Sequence, residues 1–333
     1  MPEQNDRDDD IDTQHPWIVI PYFAGDEGRA FQRPLSKVTP AVIGWLCPSI
    51  KVQGVNYTAA PGSYLPDEPL SITVDVDNRG VPNARVTVEV RWADPATGFA
   101  TSGFVASATK SVAGRSVAGP TRFANMVWTP ERAKIPPHFC LLVHARCTPP
   151  EPFPGPVTPD PLNDRHWAQY NLQTAVITTA KSHTSLFWAG NPLTEAAAYT
   201  VTARALSEDS LQAMARIVKA EPVPLRGRQV SLRHAADAID GGNATGGGNA
   251  ANAANATFSR HERDASVVLE LAAGERQPLV VTAHDLELGA HQFAALEMVQ
   301  TRVGGERQHG ASTGSLGIVL FARTQEVCHR RVR

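Results

Sequence analysis

The segment Gly310-Ala311-Ser312-Thr313-Gly314 has the G-x-S-x-G spacing with which a strained strand-to-helix turn lifts a nucleophilic serine, and Glu326 and His329 follow it in acid-then-base order. The chemistry would be acyl transfer. However, the next residues, Ser315-Leu316-Gly317-Ile318-Val319-Leu320-Phe321, read as a strand, and the acid and base are crowded into a charged tail. A Gly-rich turn between strands accounts for the pattern, and a serine hydrolase stays a remote alternative.

Asp75, Asp77 and Asn78 offer oxygens that a hard cation would take. No Glu follows at the spacing of an EF-hand loop, and period-2 placement expects Asp75 and Asp77 on the solvent face of a strand. The histidines occur singly, without an HExxH pair. If one strand covers His138 and His144 they share a face, but lie too far apart along it to bind one ion unaided. His261-Glu262 and His284-Asp285 read as surface turns. Cys47, Cys140, Cys147 and Cys328 include no CxxC pair, so no metal and no cofactor is expected. They read as buried free thiols, with a Cys47–Cys140 disulfide left open. Trp167 and Tyr170, beside Asn163 and Arg165, are the types that stack on and hydrogen-bond to sugars and form the candidate glycan contacts. A core Trp with polar strand neighbours is the competing reading. Asn56-Tyr57-Thr58, Asn243-Ala244-Thr245 and Asn255-Ala256-Thr257 match the glycosylation acceptor pattern, which matters only in a secreted protein.

The elements that would position these residues are strands. Leu70, Ile72, Val74 and Val76 fall on alternate positions and end in Asp77-Asn78-Arg79-Gly80; Ala84, Val86, Val88 and Val90 alternate again. The two runs read as adjacent antiparallel strands of a β-sandwich. Further runs are expected at Ile50–Val52, Phe104–Thr109, Thr121–Trp128 and His138–Ala145. The last, Asn163–Gln173, is expected to run on through Val176–Thr178 into a second domain. Between the last two, the dense prolines from Pro149 to Pro161 favour a stiff surface loop.

The pattern Pro48-Ser49-Ile50-Lys51-Val52, Asp67-Glu68-Pro69-Leu70-Ser71-Ile72-Thr73-Val74 and Asp77-Asn78-Arg79-Gly80 resembles the bacterial CARDB-type immunoglobulin-like domain. The strand His138–His144 and the closing segment Asn163–Leu172 are similar to that family's final strands, so the resemblance covers about residues 48–173. It implies a seven-stranded sandwich that serves as a spacer or adhesion module, commonly extracellular, with no catalytic residues to carry over.

A second sandwich is expected from runs at Thr184–Trp188, Tyr199–Leu206, Gln229–His234, Ser266–Leu271, Pro278–Ala283, Gln292–Val299 and Leu316–Phe321. Leu211, Met214, Ala215 and Val218 recur at helical spacing behind Ser207 and Asp209, which predicts a short helix plugging an open end of that sandwich. The low-complexity run Gly241–Asn255 is expected to be a mobile loop.

The fold class is therefore all-β: tandem immunoglobulin-like β-sandwiches with an extended N-terminal arm and one short helix in the second. Boundaries fall at 1–40 for an acidic, partly disordered arm, 41–180 and 181–325 for the sandwiches, and 326–333 for a basic tail. The arm's apolar part, Trp17, Ile18, Ile20, Tyr22 and Phe23, is flanked by Pro16 and Pro21, which keep it out of a central strand. Either it covers an edge of its own sandwich or it lies on a neighbour, in which case those residues are the candidate partner contacts.

With 42% apolar and 19% charged residues and a formal charge of −2, the chain has material for sizeable cores and no basic stripe for nucleic acid. No run approaches the ~18 apolar residues of a membrane helix. The acidic start, with Asp6, Asp8, Asp9, Asp10 and Asp12, lacks the regions of a secretory signal, which suggests the cytoplasm, another export route or a particle. The function expected is that of a non-enzymatic structural or interaction protein. Its partner would be a protein or larger bacterial assembly, self-association included, and the alternative is glycan binding or adhesion.

Overall fold

A computed structural model describes residues 14–321, apart from 96–98, 100, 116–118, 153–154, 156, 175–181, 227–228, 236–263 and 304–311. The first half contains β1 (Ile18–Val19), β2 (Ile50–Gly54), β3 (Ser63–Tyr64), β4 (Leu70–Asn78), β5 (Ala84–Ala93), β6 (Ser102–Val112), β7 (Thr121–Trp128), β8 (His138–Thr148) and β9 (Trp167–Thr174). In one sheet β1, β2 and β7 all pair with β4; the other runs β3-β9-β8-β5-β6. Their inner faces meet in one core. Ile72, Val74 and Val76 from β4 pack there with Val86, Val88 and Val90 from β5 and Phe139, Leu141 and Val143 from β8. Each such side chain contributes about 1.5–3 kcal/mol of burial, so the period-2 pattern fixes which face turns inward.

The two alternating runs expected to be adjacent antiparallel strands, now β4 and β5, are not partners. β4 pairs antiparallel with β1, β2 and β7, whereas β5 pairs with β6 and β8, so they face each other across the core. The reason lies in the turn. Asn78 Oδ1 accepts the backbone N–H groups of Trp17 and Gly80, and Asn78 Nδ2 donates to the Pro82 carbonyl. The place beside the end of β4 is thus taken by the N-terminal strand, in register Ile18 with Asn78 and Val19 with Asp77. Gly80 is pressed so close to it that a Cβ there would sit 2.2 Å from the His15 carbonyl oxygen.

The second half contains β10 (His183–Gly190), β11 (Ala197–Ala205), α1 (Glu208–Val218), β12 (Glu221–Pro222), β13 (Val230–His234), β14 (Asp264–Leu271), β15 (Arg276–Ala283), β16 (Gln292–Arg302) and β17 (Ser312–Phe321). One sheet runs β10-β15-β13 and the other β12-β16-β11-β14, with β17 on the far side of β16. All seven runs read from the sequence in this half are strands. Tyr199, Val201, Leu279, Val281, Leu296 and Ile318 lie in their shared core. The molecule is an all-β pair of immunoglobulin-like sandwiches with, among the described residues, one α-helix.

That helix starts where the Ser207 hydroxyl accepts the Ser210 N–H at 3.2 Å and stops at Lys219, which adopts the left-handed conformation. Its buried stripe is Leu211, Met214 and Val218, as the spacing predicts. It does not plug the second sandwich. The stripe joins the first sandwich's cluster, together with Phe293, Ala295 and Val319. β16 and β17 are apolar on both faces, so one set of alternate residues fills their own core and the other is left for the helix and the first sandwich to cover.

Candidate functional site

The sequence-predicted chemistry is dispersed. Ser312 opens β17 opposite Thr301, in a strand and not at a strand-to-helix elbow. Glu326 and His329 lie outside the described residues, as do Gly310, Ala311, His261, Glu262, Cys328, Val176–Thr178 and the Gly241–Asn255 run. Asp75 is ion-paired with Lys51 and Arg122. Asp77, expected in solvent, is buried because β1 covers it, and it pairs with Arg79. Among the described residues no group of three or more His, Cys, Asp or Glu side chains is placed to hold a metal ion. Cys47, Cys140 and Cys147 are free thiols. Cys47 bonds to the Pro21 carbonyl in the core, and Cys140 bonds to the Ala93 carbonyl on the opposite face of its sheet, so the Cys47–Cys140 disulfide is not formed.

His138 and His144 do share a face of β8. Burial pushes the His138 imidazole down to about 3, helped by the nearby His183, and pushes His144 down to about 4. Both are held neutral. His144 stacks flat on Trp167 with centroids 4.1 Å apart.

The densest polar cluster ties down the N-terminal strand. Glu151, from the proline-rich loop, accepts the Ile18 N–H on Oε1 at 2.6 Å and the Arg165 guanidinium on Oε2. His166 lies between two carboxylates, Nδ1 at 2.9 Å from Asp164 Oδ1 and Nε2 at 3.2 Å from Glu151 Oε2. Both partners accept, so the ring carries both protons. Burial alone would lower the His166 pKa, but the bonds to Asp164 and Glu151 outweigh it and raise it. Burial would likewise raise Glu151 and Asp164, yet the His166 bond and the Arg165 charge hold both below their ordinary values. The Arg165 guanidinium covers the Trp17 ring at 3.8 Å. Cys147, beside Glu151, is no nucleophile: burial and the Glu151 charge push its thiol up to about 12. Further along, Arg33 grips Asp26 through both guanidinium ends at 3.1 and 3.0 Å, and Asp26 accepts the Tyr22 and Gly28 N–H groups. These buried charges position backbone.

The second constellation is the seam between the sandwiches. On β9, Ala168, Tyr170 and Leu172 enter the core, whereas Gln169, Asn171 and Gln173 point the other way and are buried nonetheless. Gln169 donates to the Ser315 carbonyl at 3.3 Å and to Asn171 Oδ1 at 2.6 Å, and Gln173 donates to the Val319 carbonyl at 2.5 Å. The Trp45 indole covers Gly317. Asp94 pairs with Arg276, which also lies over Trp188 at 5.4 Å.

No protein-family model matches this chain. No characterised protein matches it in sequence either. Among solved structures it is similar to the CARDB domain of a Pyrococcus furiosus protein in complex with di-metal ions. That likeness has 12% identity and a TM-score of 0.24, over 41% of this chain and 97% of that domain. It is also similar to red sea bream transglutaminase (7% identity, TM-score 0.20, 83% of this chain) and to Escherichia coli alpha-2-macroglobulin activated by porcine elastase (9%, 0.25, 84%). The chain spans 31% and 22% of the length of the latter two.

The candidate contacts fare differently from what their chemistry suggests. Trp17, Ile18, Ile20 and Tyr22 are buried in the chain's own fold and Phe23 is half-buried, so they present no docking surface; of the two readings of the segment, the one that covers its own sandwich holds. Trp167 and Tyr170 are 4% and 5% exposed, too little for a sugar to stack on. Trp167 packs with Ala93, Cys140 and Leu142, and Tyr170 lies in the core, where its hydroxyl accepts the Gly62 N–H. Sequence reasoning missed Glu151, Asp164 and His166 as a cluster. The available signal was an acid, Glu151, flanked by Pro150 and Pro152, followed by the run Asp164-Arg165-His166.

Proposed function

We propose that this chain is a non-enzymatic structural or interaction module, built as one stiff unit of two sandwiches and used within a larger assembly. The observation that carries the reading is the seam. Polar side chains on the outer face of β9 bond to backbone carbonyls of β17, and Trp45 fills the space over Gly317. Inter-domain contacts within a chain are ordinarily mobile; a seam that is both hydrogen-bonded and packed fixes the distance and angle between two surfaces, which is what a spacer supplies. The arrangement of β1, β2, β4 and β7 over the β3-β9-β8-β5-β6 sheet supports a CARDB-type module for the first sandwich. Ser312 within a ladder supports a non-catalytic role. Among the described residues no helix is long and apolar enough to cross a membrane.

The test is gentle purification from the source, with size by light scattering and companions by mass spectrometry. Co-migration with a large particle is expected; a lone monomer without companions refutes the assembly role. A serine-reactive probe on the native protein is expected to leave Ser312 unlabelled, and labelling there would return the hydrolase reading.

A further inference from the structure

A cleft of about 920 Å³ opens between α1 and the N-terminal side of the first sandwich. That is the size of small-molecule sites, roughly 300–1,000 Å³. Its walls are apolar, with Val42, Ile43 and Val52 on one side and Ala213 and Ile217 of α1 on the other. Its charged lining is of one sign: Lys51, Arg216 and Lys219 border it, and no carboxylate among the described residues does. Lys51 is neutralised by Asp75. Arg216 and Lys219 are exposed and make no ion pair with any described residue.

Basic residues at a helix C-terminus also suit the helix dipole, and that accounts for Arg216 in the last turn of α1 and Lys219 at its C-cap. It does not account for an all-cation lining drawn from two elements in a chain whose formal charge is −2. Phosphate-rich ligands fit poorly, because the helix end near Lys219 is the carbonyl end and offers no free N–H groups. The combination of greasy walls and unpaired cations suits a ligand with a greasy body and a single anionic head.

We propose that this cleft binds an amphipathic carboxylate of the medium-chain fatty-acid class, its tail between Val52 and Ile217 and its carboxylate at Arg216 and Lys219. The site goes beyond the assembly role and stands without it.

Calorimetric titration of the full chain with decanoate, below its micelle concentration, tests the proposal, with decanol and decyltrimethylammonium as neutral and cationic comparators. Saturable decanoate binding, tighter than either comparator, is expected. Arg216→Gln combined with Lys219→Gln, both at exposed positions and with the fold checked by circular dichroism, should weaken decanoate binding about tenfold. The same change should leave decanol binding unaltered. The proposal is overturned by any of several results: no saturable binding, equal binding of decyltrimethylammonium, or decanoate affinity untouched by the double substitution. A wild-type dimer that the double substitution makes monomeric would give the cleft to a second copy. Binding that emerges only after removal of residues 1–13 would give it to the chain's own acidic terminus.

Discussion

Replacing Gly317 by alanine adds one methyl group at the tightest point of the seam. A Cβ built there lies 2.2 Å from Cε2 and Cζ2 of Trp45 and 2.3 Å from Cδ2. Carbon atoms rest at about 3.5–4.0 Å, so the ring must retreat by more than about 1 Å. Neither side is free to do so. Gly317 is laddered opposite Glu297 in β16–β17, and the Trp45 carbonyl accepts the Asn171 N–H at 2.9 Å. The indole itself is buried in the core cluster with Ile43, Leu46 and Tyr170. Overpacking of this kind costs about 1–3 kcal/mol, and with both backbones pinned the upper half of that range is expected.

The assay is urea unfolding followed by circular dichroism, on Gly317→Ala, Trp45→Leu and the double variant. Trp45→Leu is destabilising by itself, because it leaves a cavity, but it removes the clash. In that background Gly317→Ala should cost close to nothing, giving a coupling of about 2–3 kcal/mol between the two positions. A Gly317→Ala protein within ~0.5 kcal/mol of wild type, or an equal cost in both backgrounds, would refute the packed seam. Wild type should unfold in one transition; two separated transitions would sink the stiff two-sandwich unit even if the steric argument held.

Glu151→Ala removes the acceptor of the Ile18 N–H and leaves Arg165 and His166 without their shared counter-charge, so a loss of about 3 kcal/mol is expected. Hydrogen exchange at the Ile18 amide should speed up sharply, and unchanged protection would show that Glu151 does not hold the strand. Stability should also fall on both sides of neutrality. Glu151 and Asp164 have lowered folded pKa values, so their contribution is complete above the ordinary carboxylate range and is lost as pH falls through those values. His138 and His144 are neutral when folded, so their share is lost as pH drops below the usual 6.5 towards about 3 and about 4. His166 runs the other way: its pKa is raised, so its share is present below 6.5 and is lost as pH rises through the folded value. Urea midpoints measured across pH should show His166→Gln removing the alkaline fall and His138→Gln softening the acid one. A wild-type midpoint that stays flat from neutrality to about pH 4 contradicts the sign argument.

The strands were legible where one face meets a core and the other meets water, because that contrast writes a period of two into the sequence. It fails where a segment is too short to show a period, as in Ile18–Val19, Ser63–Tyr64 and Glu221–Pro222. It also says nothing about which sheet a strand joins, and for that reason β4 and β5 look like partners although Asn78 turns the chain across the core.

The seam shows a deeper limit. Gln169, Asn171 and Gln173 alternate with core residues and so look solvent-facing, yet the amide N–H groups of Gln169 and Gln173 donate to the carbonyls of Ser315 and Val319 in place of water, while Gln173 Oε1 and Asn171 Nδ2 are buried without a partner among the described residues. Only the partner strand betrays the contact. Ile318-Val319-Leu320-Phe321 is apolar without a break, and a strand in water on one side would not be. The same ambiguity undoes the candidate contacts. The apolar side chains of Trp17, Ile18, Ile20 and Tyr22 say that the segment must be covered, not by what. The decision rests with residues far along the chain, since Glu151 takes the Ile18 amide and Arg165 covers Trp17. A charged residue in a proline-rich loop looks like any other solvated acid until the backbone it serves is brought beside it.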